Sequence, residues 1–347
     1  MLLGIVSTGE ALCASIEFQK VDTVLELRAL VKHYSTHPAV NGISFSIARG
    51  EFFSLVGPSG CGKTTTLRMI GGFETPTSGE ILLDGAPITG TPPYRRDVST
   101  VFQNYALFPH LTVAENIAFG LQRRNQFSSG EIRTKVSQAL SLVQLSGKEA
   151  RKPHQISGGE RQRVALGRSL VLQPKVLLLD EPLSALDPNL RKQMRSELKN
   201  LQRRVGIAFL FVTHDQEEAL SLSDRMAIMN QGLLDQLGTP RDLYRQPRSR
   251  FVAEFLGGVN WVNGAGVRPE AVRISRERPG SHVHWIGGVV ETSTFLGNCL
   301  QVDTRLANGA RCTAEVAQDA SEFVAGESVY VWWNHADELP IDHGALP

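Results

Sequence analysis

The eight residues Gly57-Pro58-Ser59-Gly60-Cys61-Gly62-Lys63-Thr64 constrain the fold more than any other stretch of the chain. They follow the apolar run Phe52-Phe53-Ser54-Leu55-Val56 and lead into Thr65-Thr66-Leu67-Arg68-Met69-Ile70, which reads as a helix. The pattern G-x-x-x-x-G-K-[ST] between a strand and a helix is a phosphate-binding loop. Its glycines let backbone N–H groups turn inward around a polyphosphate, and the helix N-terminus adds partial positive charge. Lys63 can bridge terminal phosphates, and the Thr64 hydroxyl can ligate Mg²⁺. A glycine-rich turn without a ligand is the plain alternative, but the flanking strand and helix argue against it.

Other carboxylates and a histidine gather around the same chemistry. Val176-Leu177-Leu178-Leu179 is short and wholly apolar, as a parallel strand buried on both faces should be. It delivers Asp180 and Glu181 at its carboxyl end, where two adjacent carboxylates are costly unless something cationic meets them. Mg²⁺ on Asp180 and a water on Glu181 are such partners. Ala208 to Thr213 is another buried strand and ends at His214-Asp215, on the sheet edge where open α/β folds bind ligands.

Strands are also expected over Val24–Leu30, Val40–Ile47, Ser78–Leu83 and Met226–Met229. A helix-prone region from Thr112 to Gly147, with a loop over Asn125–Gly130, interrupts this α/β pattern as an inserted helical subdomain. In Ile156-Ser157-Gly158-Gly159-Glu160, Ser157 and Glu160 fit a capping box, and two glycines directly after the cap leave helix N–H groups open to an anion. After Gly257 the pattern changes to short alternating runs, Val283–Val290, Leu300–Thr304, Cys312–Val316 and Val329–Trp333, which predict a small antiparallel barrel or sandwich.

Composition narrows the function classes. The 347 residues allow about two domains, and the net charge of +1 gives no overall field for nucleic acid or an anionic membrane. From Gly258 onward there are eleven Asp/Glu against six Lys/Arg, so the C-terminal segment lacks the basic face of an oligonucleotide-binding barrel. Cys13, Cys61, Cys299 and Cys312 form no metal-ligand spacing and suit a reducing compartment. No apolar run approaches the roughly 18–20 residues that span a bilayer. The apolar start Met1–Val6 has no basic flank, so residues 1–23 are expected to be an extension before the first strand rather than a cleaved signal.

Together these motifs resemble the ATP-binding cassette family over roughly Val24 to Gly257. A phosphate-binding loop alone admits kinases and GTPases; the Ser157-Gly158-Gly159 signature does not. The resemblance implies ATP and Mg²⁺ as ligands, with Tyr34 stacking on adenine, Thr65 beside the phosphates, and Gln103 approaching Mg²⁺ and the attacking water. It makes Ser184-Ala185-Leu186-Asp187 the D-loop, Glu181 the residue that polarises water, and His214 the switch that senses the γ-phosphate. It places Ser157, Gly158 and Gly159 over the nucleotide of a second copy, so that a competent site needs two chains head to tail. The family's signature usually carries Gln where this chain has Glu160.

The resemblance further implies a P-loop cassette with a helical subdomain over about 104–172, followed over 258–347 by a small regulatory β-barrel. That barrel carries a V-R-P-E motif, here Val267-Arg268-Pro269-Glu270. It implies a bacterial importer with two membrane permease subunits and a periplasmic or lipid-anchored binding protein, the chain sitting at the cytoplasmic face of the membrane. Tyr105 to His110 would help receive the permease's coupling helix, or else be ordinary core. Arg151–Gln155, Leu190–Gln202, Gly206–Leu220 and the ending around Trp332-Trp333-Asn334 look most like polyamine import ATPases; iron(III), thiamine, phosphonate, sulfate and sugar importers share much of the pattern. Two rival classes remain, a non-transport cassette ATPase and a P-loop kinase. A tandem cassette would mark the first and a phosphorylated acceptor the second.

Overall fold

The computed structural model describes residues 22–34, 38–280, 282–317 and 322–341, so most of the expected N-terminal extension lies outside the described residues. The chain begins with two long strands, β1 (Thr23–His33) and β2 (Pro38–Ala48). They are followed by β3 (Phe52–Val56), helix α1 (Lys63–Gly71), β4 (Ser78–Leu83), the two-residue β5 (Ala86–Pro87) and β6 (Val98–Val101). Three helices come next: α2 (Val113–Arg124), α3 (Ser129–Leu142) and α4 (Gly158–Leu170). The α/β alternation then resumes with β7 (Val176–Asp180), α5 (Pro188–Val205), β8 (Ala208–Thr213), α6 (Gln216–Leu222), β9 (Arg225–Asn230) and β10 (Leu233–Gly238), and ends in the short helices α7 (Pro240–Arg245) and α8 (Arg250–Phe255). Beyond these lie β11 (Asn260–Val262), β12 (Ala265–Val267), β13 (Arg273–Ser275), β14 (His284–Phe295), β15 (Cys299–Leu306), β16 (Arg311–Ala317) and β17 (Ser328–Trp333).

The central sheet runs β10-β9-β3-β8-β7-β6, with all neighbours parallel except the β9–β10 pair. Its register sets Val56 beside Thr213, Asp180 beside Val212 and Val101 beside Leu179. The loops carrying Gly57, Gln103, Glu181 and His214 therefore leave the same sheet edge. A second, antiparallel sheet, β2-β1-β4-β5, lies alongside.

Both faces of the central sheet are covered, which explains the continuous apolar runs. On one face Phe52, Leu177, Leu179, Phe209 and Phe211 share a core with α2, α3, α4 and α5. On the other, Phe53, Leu55, Leu178, Leu210 and Val212 pack with α1 and the strands of the second sheet. Phe52, Phe53, Phe209 and Phe211 are fully buried; truncating any of them to Ala costs about 3–5 kcal/mol. Each of α2, α3 and α4 starts at a two-way capping box, Thr112/Glu115, Ser128/Glu131 and Ser157/Glu160.

Six strands escape sequence reading: β5, β11, β12 and β13 have only two or three residues each, and β6 and β10 lie at the sheet edges. The alternation of β6 and β10 is too brief to stand out. β1 also runs past its expected end at Leu30, because the ladder shifts register between Leu27 and Leu30. Ala29 there takes φ 44° and donates its N–H to Ser44 Oγ at 2.8 Å.

The C-terminal strands form one antiparallel sheet, β13-β17-β14-β15-β16, whose two edge strands return to within 8 Å of each other, curling it toward a barrel. It has its own core of Val262, Val267, Leu306, Cys312, Val331 and Trp333. The V-R-P-E motif sits where this sheet meets α7 and α8. Arg268, 4% exposed, donates to Ala253 O, Gly257 O and Tyr244 O at 2.8, 3.1 and 3.1 Å. Tyr244 Oη donates to Glu270 at 2.6 Å. Arginine suits the first place because its planar fork satisfies several carbonyls at once.

Candidate nucleotide site

The loop between β3 and α1 is built around glycines that no other residue could replace. Gly57 has φ 155° and a Cβ there would meet Met229 O at 2.1 Å; at Gly62, φ 107°, it would meet Ala39 O at 2.3 Å. Pro58, Ser59 and Gly60 are exposed at the rim. Thr65 stands half-buried in the first turn of α1, whose leading N–H groups have no intrahelical partner. Lys63 is 5% exposed, and its Nζ donates to Gly57 O and Pro58 O, both at 2.8 Å, with Cys61 Sγ at 3.8 Å. Among the described residues no carboxylate forms an ion pair with it, so every hydrogen bond of the buried ammonium goes to a neutral acceptor. An anionic ligand is the partner such a cation lacks. Burial pushes the Cys61 thiol above its ordinary range against the opposing field of Lys63, so it is a packing group here.

Facing the loop, Thr64 Oγ1 donates to Asp180 Oδ1 at 3.1 Å. Asp180 is 8% exposed, and burial drives its carboxyl above the usual carboxylate range; the Thr64 hydrogen bond opposes this and the neighbouring Glu181 adds to it. A hydroxyl and a buried carboxylate side by side form a hard oxygen donor set that fits Mg²⁺, which keeps several waters and takes one or two protein ligands. A bound dication would also favour the ionised form of Asp180 that burial disfavours.

Glu181 follows with φ 45°, a left-handed conformation that costs a non-glycine residue about 1–3 kcal/mol. Its N–H donates to Val212 O at 3.0 Å, which fixes the turn, and its carboxylate lies 3.2 Å from His214 Nδ1. His214 is held by a separate device. Thr213 Oγ1 donates to the buried Glu218 carboxylate at 2.6 Å and accepts from Asp215 N at 3.0 Å, while Asp215 caps α6. No hydrogen bond joins Gln103 to Thr64 or Asp180 among the described residues. Its Nε2 donates to Ser184 Oγ at 3.2 Å, and that hydroxyl donates to Glu181 O at 2.8 Å. Gln103 is thus linked to the Glu181 turn through Ser184. Asp187 caps α5 by accepting from Leu190 N at 3.0 Å. Tyr34 is 47% exposed, with Lys32 Nζ 4.9 Å from its ring centre.

The signature segment stands apart. Ser157 Oγ accepts from Glu160 N, and Glu160 Oε2 accepts from Ser157 N at 2.7 Å. Among the described residues the N–H groups of Gly158 and Gly159 have no acceptor. A Cβ on Gly158 would touch Leu186 at 3.4 Å and one on Gly159 would touch Leu190 at 3.3 Å, so the segment nestles against the D-loop and the start of α5. No hydrogen bond joins it to the phosphate loop of its own chain among the described residues.

Three residues that the motifs did not single out support this machinery. Lys148 forms an ion pair with Glu160 Oε1. Arg191 reaches Asp215 Oδ2 at 3.5 Å and Leu186 O at 3.2 Å, joining the D-loop to the His214 turn. Arg168 donates to Tyr105 O and Ala106 O at 2.8 and 2.6 Å, two residues with φ 62° and 45°. Only a fold could reveal these pairings, since each spans a different helix or loop. The segment Tyr105 to His110 is divided in nature: Tyr105 is 6% exposed and in the core, Phe108 packs against Phe119 with ring centres 4.4 Å apart and planes at 40°, and Pro109 and His110 are exposed.

Residues 40–184 match the family model described as ABC transporter, and residues 265–339 match that described as TOBE domain. The chain is 48% identical to the spermidine/putrescine import ATP-binding protein of Rubrobacter xylanophilus, across 89% of this chain and 91% of that one. It is 45% identical to the protein of the same name in Bacillus cereus, across 92% and 99%. Among solved structures it resembles cbiO1 of Clostridium perfringens, described as part of an ABC transporter complex, with TM-score 0.60, 31% identity and coverage of 64% and 91%. It also resembles a dimeric ATP-binding cassette in a post-hydrolysis state with ADP and Pi, with TM-score 0.55, 31% identity and coverage of 62% and 99%.

Proposed function

The chain belongs to the ATP-binding cassette transporter family, and from that membership we propose that it is the ATP-hydrolysing subunit of a bacterial binding-protein-dependent importer whose cargo is a polyamine such as spermidine or putrescine. The observation that carries the catalytic part is the convergence, on one sheet edge, of a carboxylate-free Lys63, the Thr64–Asp180 pair and the Glu181–His214 pair. Names borne by relatives of high identity along nearly their whole length support the cargo.

In this reading the cassette spans 24–257 and the regulatory barrel 258–347, a division supported by their separate sheets and cores. Phosphoryl transfer to water needs alignment and charge neutralisation more than covalent help. The phosphate-loop amides and Lys63 hold the phosphates, and Tyr34 packs on the base. Thr64 and Asp180 would hold Mg²⁺, which would neutralise charge on the phosphate oxygens. Glu181 accepts a proton from the attacking water, positioned by its left-handed turn; His214 contacts the γ-phosphate; Gln103 and Ser184 tie the loop after β6 to that turn. Ser157, Gly158 and Gly159 close over the nucleotide of a second chain, with Asp187 near the seam, so ATP draws two copies together head to tail and its hydrolysis releases them. A solved relative described as dimeric supports the pairing of two copies. No helix among the described residues is long and apolar enough to cross a membrane; the chain works at the cytoplasmic face through two permease subunits, supplied by an external binding protein.

Co-purification with those permeases, followed by ATPase assays in liposomes containing the binding protein, tests the reading. Stimulation by spermidine or putrescine is expected. Stimulation by iron(III) or thiamine instead would overturn the cargo and leave the ATPase standing; transfer of the γ-phosphoryl to an acceptor, with a phosphorylated product in place of free phosphate, would overturn both.

The signature glutamate has a definite expectation. Glu160 is occupied by its own helix start and by Lys148, so its charge is compensated before any nucleotide arrives. Glu160→Gln is therefore expected to change steady-state ATP turnover by less than about tenfold, or about 1.4 kcal/mol. A larger change would mean that the carboxylate acts on the nucleotide directly.

A further inference from the structure

Far from the nucleotide edge, three ligand-type side chains meet in the C-terminal sheet. His284 opens β14, while His335 and Glu338 lie on and just after the single turn that follows β17. One ligand atom from each lies within 4.8 Å of the other two, the only such group of three His, Cys, Asp or Glu among the described residues. His284 Nδ1 is 2.6 Å from Glu338 Oε1, and the two imidazole centres are 3.7 Å apart with their planes at 69°. Hydrogen bonding explains only part of this. Trp333 Nε1 donates to the same Glu338 oxygen at 3.0 Å, but the His335 side chain makes no hydrogen bond or ion pair among the described residues.

We propose that His284, His335 and Glu338 form a binding site for a divalent first-row transition metal ion, with zinc as the representative. Two neutral imidazoles and a carboxylate are a ligand set such ions take, with an open fourth position. Trp333 serves as the outer partner that orients the carboxylate, a role metal ligands commonly require. Tetrahedral coordination at ordinary zinc distances needs ligand atoms about 3.3 Å apart, so side-chain rotation must widen the 2.6 Å His284–Glu338 contact a little and bring the exposed His335 in. His335 and Glu338 line a cleft of about 880 Å³, shared with Asp337, Tyr244 and Arg268, which gives ions and water access. The site also has a structural reach. Glu338 pairs with Val267 across an isolated bridge, and Leu339 N donates to Gly266 O at 2.8 Å, so a bound ion would pin β14 and the C-terminal segment to the strand that carries Arg268 into the junction.

The test uses the full chain, free of affinity tag and nucleotide and stripped of metal by a chelator. Zn²⁺ is titrated calorimetrically and Co²⁺ by visible absorption. One ion per chain is expected, with cobalt bands of nitrogen and oxygen ligation and no thiolate charge transfer, and with Tm raised by Zn²⁺. His335→Ala and His284→Ala are each expected to weaken binding by more than the roughly 10–100-fold that loss of an outer partner costs, and to abolish the rise in Tm. His335 is exposed, so His335→Ala should keep wild-type circular dichroism and MgATP turnover, which separates loss of a ligand from loss of the fold. Absence of stoichiometric binding, unchanged affinity in a folded His335→Ala chain, or a thiolate band pointing to the cysteines would each overturn the proposal.

Discussion

Glu181→Gln is expected to bind ATP and hold the closed dimer while hydrolysing ATP about 10²–10⁴-fold more slowly, the range a positioned general base contributes. The substitution is close to isosteric, so it spares the geometry. The left-handed backbone at φ 45°, the N–H bond to Val212 O and the Ser184 contact to the Glu181 carbonyl all belong to the main chain. The side-chain oxygen can still face His214 Nδ1, now 3.2 Å from the carboxylate. Only the proton acceptor is lost. Phosphate release should collapse while size-exclusion chromatography with MgATP shows the dimer accumulating. Turnover within tenfold of wild type would remove Glu181 as the base. A chain that stayed monomeric with ATP, even beside its permease partners, would tell against the head-to-tail arrangement itself.

The strain at Glu181 also shows where sequence reading stops. Leu177-Leu178-Leu179 announces a strand buried on both faces, and Asp180 and Glu181 announce an acidic strand end, because these properties are written into consecutive residues. The glycines of the phosphate loop and the Ser157/Glu160 box are legible for the same reason: cap, turn and helix start are local. Pairings that depend on tertiary closure are not. Gln103 finds Ser184 across 81 positions, Arg168 holds the carbonyls of Tyr105 and Ala106 across more than 60, and Lys148 reaches Glu160 only because the loop after α3 folds onto the start of α4. Short edge strands such as β6 are likewise defined by their neighbours, since Val98–Val101 pairs with β7 on one side only. The His284–His335–Glu338 cluster is the extreme case, its members drawn together by antiparallel pairing of Trp333 with His284 rather than by any spacing.

Lys63→Ala is expected to lower ATP turnover by at least about 10²–10³-fold, the loss seen when one preorganised donor to a developing charge is removed, and to weaken ATP binding as well. The reason lies in how the ammonium is kept. At 5% exposure it is largely withdrawn from water, yet the contacts that replace water are two carbonyls at 2.8 Å and a distant thiol. Neutral acceptors compensate a buried charge only partly, so the site is poised for an anion, and phosphate oxygens are the partners that restore the balance. Lys63→Arg should not rescue the activity, because a planar guanidinium cannot occupy a pocket shaped for a point charge between Gly57 O and Pro58 O. The loss should fall on kcat and KM together, since the same charge meets the bound phosphates and the charge that develops during transfer. Removing the buried cation leaves the nucleotide-free chain folded, which thermal unfolding would verify. A variant that kept its fold and stayed within tenfold of wild-type turnover would show that the loop amides alone hold the phosphates, and that Lys63 only closes its own loop.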